Sequence, residues 1–268
     1  MLAPRTSAAA AVALACLAGL AACDRAESPP DTATPAAPEP APAPVVQIAP
    51  LDRSALIQAF DAAASAFAEG RAAPPTPRVA GRPFTLTQAF GCGPAAAGPP
   101  APGLASVRRA EDGALTLALT PADWAQSGLI RLAAPDAEAV EGLWLTRPWL
   151  RAPICPAVAA DPLTPATPTP QTYGLAVIFP EGGSRVGRRD GRAYSHVVRG
   201  DASGARPLQA PDGYRLVVSG RMAAFADGRA IRCAAAGPDQ RPTCLAAIEI
   251  DRVAFTDADG ATLSEWRS

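Results

Sequence analysis

The clearest strand signal in the sequence is the segment Ala246-Ala247-Ile248-Glu249-Ile250-Asp251-Arg252-Val253-Ala254-Phe255. Its apolar side chains alternate up to Ile250 and resume at Val253, so the period of two holds while its phase slips by one residue. A β-bulge near Asp251 and Arg252 would return the later apolar side chains to the inner face of a sheet. The segment therefore predicts a long strand with an internal bulge and one buried face.

The rest of the body repeats this pattern on a shorter scale. Short apolar runs are separated by Gly and Pro, and Asp-Gly turn signals follow several of them. The strand candidates are residues 84–90, 115–119, 129–132, 142–147, 173–179, 193–198, 214–225, 230–233, 244–255 and 262–266. This spacing predicts a mainly β fold, an antiparallel sandwich or small barrel(s), rather than an α/β fold.

One helix is expected at the start of the body. Apolar side chains recur at helical spacing from Leu56 to Phe67, Asp52 or Ser54 can cap the first turn, and Gly70 can end the helix. A Pro/Thr-rich connection at residues 156–172 then divides the body into residues 51–155 and 173–268. Two subdomains and a single sheet with a long loop both remain open, and we slightly favour two subdomains.

The N-terminus carries an export signal. Arg5 precedes an apolar run from Ala8 to Leu20, which is shorter than the roughly 20 residues that a membrane span needs. The run ends in Leu20-Ala21-Ala22-Cys23, which resembles the lipobox of bacterial lipoproteins. The resemblance implies cleavage between Ala22 and Cys23. Residues 1–22 would then be a signal peptide and Cys23 a lipid-attachment site acylated with fatty chains such as palmitate.

A tether is expected between this anchor and the body. Residues 23–50 are rich in Pro and Ala, and such runs favour an extended polyproline II spacer. The expected location is the cell envelope, anchored by lipid to the membrane and facing the periplasm. Asp24 resembles the inner-membrane retention signal of enteric lipoproteins, which slightly favours that membrane.

Four cysteines remain after Cys23 and the signal peptide are set aside. An even number in an exported chain predicts two disulfide bonds, and three pairings exist. We prefer Cys92–Cys155 and Cys233–Cys244, because the second pair brackets a turn-rich segment between two strands. A four-thiolate zinc site would need Cys-x-x-Cys pairs, which the sequence lacks. We therefore expect no metal and no cofactor.

Composition excludes several classes of function. The chain has 268 residues, a formal net charge of −1 and one histidine. The charge balance argues against a nucleic-acid partner, and the single histidine argues against histidine-based metal clusters.

Candidate catalytic residues are few. His196 would have to serve as the base of a serine hydrolase, but Ser195 points to the opposite face of a strand, and Ser184 lacks the Gly-x-Ser-x-Gly context. Glu249 and Asp251 have the spacing of paired carboxylates in inverting glycosidases, yet acids on the wet face of a strand have the same spacing. We therefore expect no catalytic site.

Candidate ligand contacts are Trp144, Arg147 and Trp149, which could stack on a sugar ring or a peptide, with one tryptophan expected in the core. The arginine-rich run at residues 185–189 is a further candidate contact for lipid headgroups or acidic polymers.

These observations predict a lipid-anchored envelope protein with a non-catalytic β body. The body would bind or scaffold an envelope protein or a cell-wall component. Two alternatives are a cell-wall hydrolase that uses Glu249 and Asp251 or His196, and a carrier of a sugar or small ligand that uses Trp144 and Trp149.

Overall fold

The architecture comes from a computed structural model of the chain, which describes residues 49–71, 79–93, 98, 100–157, 170–200 and 212–268. The predicted signal peptide, the lipobox-like residues, nearly all of the expected tether and most of the Pro/Thr-rich connection lie outside these residues. Residues 46–268 form one compact unit.

The described part of the chain is mainly β, as the sequence predicts. Eleven strands and two helices follow one another along it. In chain order they are α1 (Arg53–Ala68), β1 (Pro83–Phe90), β2 (Ala105–Arg109), β3 (Leu115–Leu119), β4 (Ala122–Asp123), α2 (Gly128–Ala133), β5 (Ala137–Trp144), β6 (Tyr173–Pro180), β7 (Tyr194–Val198), β8 (Tyr214–Met222), β9 (Ile231–Ala234), β10 (Thr243–Thr256) and β11 (Thr262–Arg267).

The strands form two sheets. The larger has the order β1-β8-β10-β6-β5-β4, with β9 and β11 also paired to β10, and the smaller has the order β2-β3-β7. Leucines of the small sheet, such as Leu117, share one buried cluster with Leu175 and Phe255 of the large sheet and with Phe60 of α1. The core therefore lies between the two sheets and under the helix.

Strand β10 contains the predicted bulge. Ile250 lies opposite Gly220 and Arg252 lies opposite Ser219, so Asp251 is the extra residue. Val253 and Phe255 are buried beyond it, as the phase slip requires. One feature differs from the prediction of purely antiparallel sheets, because β10 pairs with β6 in parallel.

Strands from both predicted segments share the large sheet. Strand β1 pairs with β8, and β5 pairs with β6. The sheet therefore joins residues 51–155 to residues 173–268 by backbone hydrogen bonds.

Two local predictions need correction, and one strand was missed. Residues 129–132 form helix α2 rather than a strand, because Ser127 caps the segment by accepting the N–H of Ile130 at 3.2 Å. The expected strand 142–147 is β5, which starts earlier and ends at Trp144, since Arg147 has a φ of 50° that a strand does not allow. Strand β2 carries no clear sequence signal and was not predicted.

The helix ends and the disulfides agree with prediction. Asp52 caps α1 by accepting the N–H of Ala55 at 2.8 Å, and Gly70 follows the last turn with a φ of 66°. Both preferred disulfides, Cys92–Cys155 and Cys233–Cys244, are present. The second joins directly opposed residues of β9 and β10. Neither described helix has the length and apolar character of a membrane span.

Candidate ligand-binding site

The candidate site lies where one edge of β10, at residues 249–251, has no neighbouring strand in the described part of the chain. On that edge β10 pairs with β6 from Cys244 to Ile248 and with β11 from Arg252 to Thr256. The opposite edge faces β8 throughout the second half of the strand. Residues 249–251 therefore have no strand partner on the first edge, although the N–H of Ser268 reaches Asp251 O at 3.2 Å.

A cavity of about 290 Å³ opens at this gap. We call it the inter-sheet cavity, because strands of both sheets line it. Its walls are mainly apolar and come from Leu143, Val177, Phe179, Tyr194, Ile248 and Ile250. The polar side chains of Glu141, Ser184, Glu249 and Ser268 also line it. Val186 lies at the mouth with 73% of its surface exposed. The arrangement suits a small ligand with an apolar body.

The cavity is covered by the connection between β6 and β7, residues 181–193, which we call the cavity loop. Glu141 Oε1 on β5 accepts the backbone N–H groups of Arg189 and Asp190 at 2.7 and 2.8 Å. The guanidinium of Arg189 lies 4.5 Å from the ring centre of Tyr194. An acidic side chain of the sheet thus holds the backbone of the loop over the cavity.

A second acid, Glu138, holds the side chains of the same loop. Arg185 and Arg188 both donate to Glu138 Oε1, at 2.5 and 2.9 Å. These hydrogen bonds lower the pKa of Glu138, because they favour its ionised form. Two arginines of the run 185–189 therefore form hydrogen bonds within the protein.

The ring of Tyr194 forms part of the cavity wall. Burial raises the pKa of its hydroxyl. The charge of Arg189 lowers this pKa by a smaller amount, and the charge of Glu141 raises it slightly. The side chain is therefore neutral at physiological pH and adds to the uncharged lining of the cavity.

The candidate catalytic residues do not meet in this cavity. Glu249 lines it, whereas Asp251, the bulge residue, and His196, which lies opposite Leu117 in the small sheet, do not. Ser184 lies at the mouth, where its Oγ accepts the N–H of Val186 at 3.3 Å. Within the described ranges, no group of three or more His, Cys, Asp and Glu side chains could hold a metal ion.

The predicted ligand contacts separate into a core residue and a surface groove. Trp144 is half-buried and packs on Trp124, with ring centres 4.6 Å apart. Trp149 is 59% exposed and, together with Arg147, lines a groove of about 300 Å³. We call this second depression the Trp149 groove.

In comparisons with known proteins, no family model, no curated protein and no solved structure matches this chain.

The walls of the inter-sheet cavity could not be recognised from the sequence. Val177, Ile248 and Ile250 have the alternating pattern of ordinary core positions, and only the order of the strands leaves space beside them. The one sequence signal near the site is the phase slip in β10, which marks the bulge but not the missing strand partner.

Proposed function

We propose that this chain is a lipid-anchored protein of the cell envelope whose β body binds a small ligand in the inter-sheet cavity without transforming it. The observation that carries the proposal is the mainly apolar cavity at the gap in β10, covered by a loop that Glu138 and Glu141 hold. The ligand would place an apolar body against Val177 and Ile250, with any polar group towards Glu249 or Ser184.

The alternative of a cell-wall hydrolase receives less support. Glycoside hydrolysis needs two carboxyl groups that flank the scissile bond, and a serine hydrolase needs a base beside its nucleophile. Glu249 lines the cavity without Asp251, and the other lining acid, Glu141, is held by the backbone N–H groups of Arg189 and Asp190. Ser184 lines the cavity without His196. Binding therefore agrees with the geometry better than hydrolysis does.

The anchor rests on the lipobox-like residues at 20–23. The two acyl chains of a diacylated cysteine would hold the protein firmly at a membrane, whereas a single chain binds only marginally. The two disulfides support the export that the signal predicts, because such bonds persist mainly in oxidising compartments. A Cys23→Ser variant should lose labelling by radioactive palmitate and leave the membrane fraction. Unchanged labelling would contradict the anchor.

The cavity can be tested with a neutral apolar dye, N-phenyl-1-naphthylamine, whose fluorescence rises on burial. We expect the full-length protein in detergent micelles to bind one dye molecule above the micelle background. Val186→Arg should weaken that binding about tenfold, since it places a charge at the mouth in place of an apolar group worth about 1.5 kcal/mol. Val197→Arg, at an exposed valine of β7 that does not line the cavity, is the matched control. Equal dye binding by the two variants would contradict the site.

A further inference from the structure

The Trp149 groove shares no lining residue with the inter-sheet cavity. It runs between the end of β1, the segment from Thr146 to Trp149, and the residues just before β6. The Cys92–Cys155 disulfide joins the chain beyond β1 to the chain beyond Trp149, and the guanidinium of Arg147 contacts Cys92 Sγ at 3.6 Å. The groove is therefore built on a covalently braced part of the body.

Three arginines carry the positive charge of this region. Arg53, which is 5% exposed, donates to the carbonyl oxygens of Thr146, Arg147 and Leu150 at 2.6 to 3.0 Å. Arg147 donates to Ala89 O, and Arg215 donates to Asp212 O at 2.7 Å. No carboxylate in the described part of the chain pairs with any of these three arginines.

Uncompensated charge of this kind is unfavourable. Burial lowers the pKa of Arg53 to about 10, with a further contribution from Arg147. Burial and the nearby Arg215 also lower the pKa of Arg147. Both guanidinium groups remain charged at neutral pH, so an anion placed at the groove would meet a pre-formed, partly desolvated cation.

The backbone conformation of Arg147 is a second indication of a binding site at the Trp149 groove. Its φ of 50° lies in the left-handed region, which non-glycine residues rarely adopt. Such strained conformations persist where the surrounding structure fixes them, and they cluster at binding sites. Here Arg53 donates hydrogen bonds to the carbonyl oxygens of Thr146 and Arg147, which flank the strained α-carbon, and to that of Leu150.

Two further features define the chemistry of an occupant. The exposed ring of Trp149 offers a flat apolar face, on which the apolar face of a sugar ring can stack. Gln171 also lines the groove, and its side-chain oxygen is buried without a hydrogen-bond partner in the described residues. That oxygen is an acceptor suited to a hydroxyl group.

We propose that the Trp149 groove binds an acidic sugar whose carboxylate pairs with Arg147, whose ring stacks on Trp149 and whose hydroxyl donates to Gln171. A guanidinium, an aromatic face and an unpaired acceptor together match a uronic acid, as a free sugar or as a unit of an acidic glycan. A neutral sugar would leave the arginine charge uncompensated.

Binding of galacturonic acid to the full-length protein in detergent, followed by ligand-observed NMR, tests this site. Galactose, which lacks the carboxylate, is the neutral control ligand. We expect galacturonic acid to bind at least tenfold more tightly than galactose. Arg147→Gln should remove this preference, and Trp149→Ala should weaken binding of the acid at least fivefold. Arg131→Gln, at an exposed arginine of α2 that lines neither the groove nor the inter-sheet cavity, should change neither affinity.

Equal affinities for the two sugars would overturn the proposal, and so would unchanged binding of galacturonic acid in Trp149→Ala. The tryptophan variant removes an exposed side chain, so it keeps the test decisive if Arg147→Gln does not fold. Dye binding in the inter-sheet cavity should be unaffected by Trp149→Ala, which separates failure of this site from failure of the proposed function.

Discussion

At the scale of single residues, the packing of Trp124 depends on two glycines of neighbouring strands. The indole covers Gly142 of β5 and approaches Gly174 of β6, where an added Cβ would lie 2.6 Å from the ring. At Gly142 an added Cβ would overlap the ring atoms directly. The absence of a side chain at these positions therefore allows a tryptophan to lie flat against the large sheet.

We predict that Gly142→Ala lowers the free energy of unfolding by about 1–3 kcal/mol, because the methyl group overpacks the site under Trp124. Urea denaturation followed by tryptophan fluorescence measures the change. Gly237→Ala is the matched control, since its Cβ would meet no atom within 4 Å and its φ is not positive. Equal stabilities of the two variants would contradict the packing described.

The cysteine pairing could be predicted at this scale, and the Trp149 groove only in part. Four cysteines in a chain expected to be exported, with one pair across a short turn-rich segment, allowed the preferred connectivity to be chosen. The sequence indicated that one of Trp144 and Trp149 lies in the core, but it did not indicate which of the two is exposed. The buried Arg53 could not be anticipated, because nothing local to the helix shows that its guanidinium reaches carbonyl groups almost one hundred residues away.

At the scale of elements, the cavity loop depends on a few acidic contacts. We predict that Glu141→Ala frees the amides of Arg189 and Asp190 and makes local opening easier by about 1–2 kcal/mol, the value of charge-assisted hydrogen bonds at a partly exposed site. Trypsin should then cut after Arg188 or Arg189 about 5- to 30-fold faster. Glu181→Ala, at an exposed acid of the same loop, should leave the rate of cleavage unchanged. If trypsin cleaved Glu141→Ala no faster than Glu181→Ala, the role of Glu141 would be disproved.

The contact between Glu138 and the loop should depend on pH. Because the pKa of Glu138 is lower in the folded protein than its ordinary value of 4.5, its contribution to stability is present above that value and is lost as the pH falls through the folded pKa. Glu138→Gln should therefore be less stable than the parent protein at pH 7, and the difference should shrink progressively as the pH falls below 4.5, as measured by urea denaturation. A difference that does not change with pH would show that the contact is not ionic.

Sequence patterns predicted some strands and helices and missed others, and each outcome has a physical reason. The long β10 and its bulge were visible because Ile248 and Ile250, and then Val253 and Phe255, keep a period of two with a single slip of phase between them. Helix α2 was missed because residues 129–132 are too few to distinguish a helical from a strand period, and the decisive cap by Ser127 is a single hydrogen bond. The gap beside residues 249–251 depends on which strands pair with β10, and local sequence does not encode that order.

At the scale of the whole molecule, β10 joins the parts of the body. It pairs with four other strands, and two of these, β8 and β6, in turn pair with strands from the first half of the body. The two disulfides brace opposite parts of this arrangement, one at the end of β1 and the other across β9 and β10. On the loop-entropy model, their closed loops correspond to about 4 and 3 kcal/mol respectively.

The mainly β class was predictable at this scale, while the way the halves combine was not. Alternating apolar runs and Asp-Gly turns specify strands, and the parallel pairing of β6 with β10 needs a long-range crossover that leaves no local mark. The Pro/Thr-rich connection at residues 156–172 suggests a boundary from composition alone. Strand pairing nevertheless links the segments on its two sides.

Export and lipid attachment, as proposed, would set both the location of the binding sites and the oxidation of the cysteines. The intact mass of the protein isolated from the membranes of its own cells tests this most directly. The predicted mass is that of residues 23–268 with a lipid group on Cys23, and full reduction after unfolding should add four hydrogens for the two disulfides. A mass for residues 1–268 without lipid, unchanged by reduction, would contradict the account.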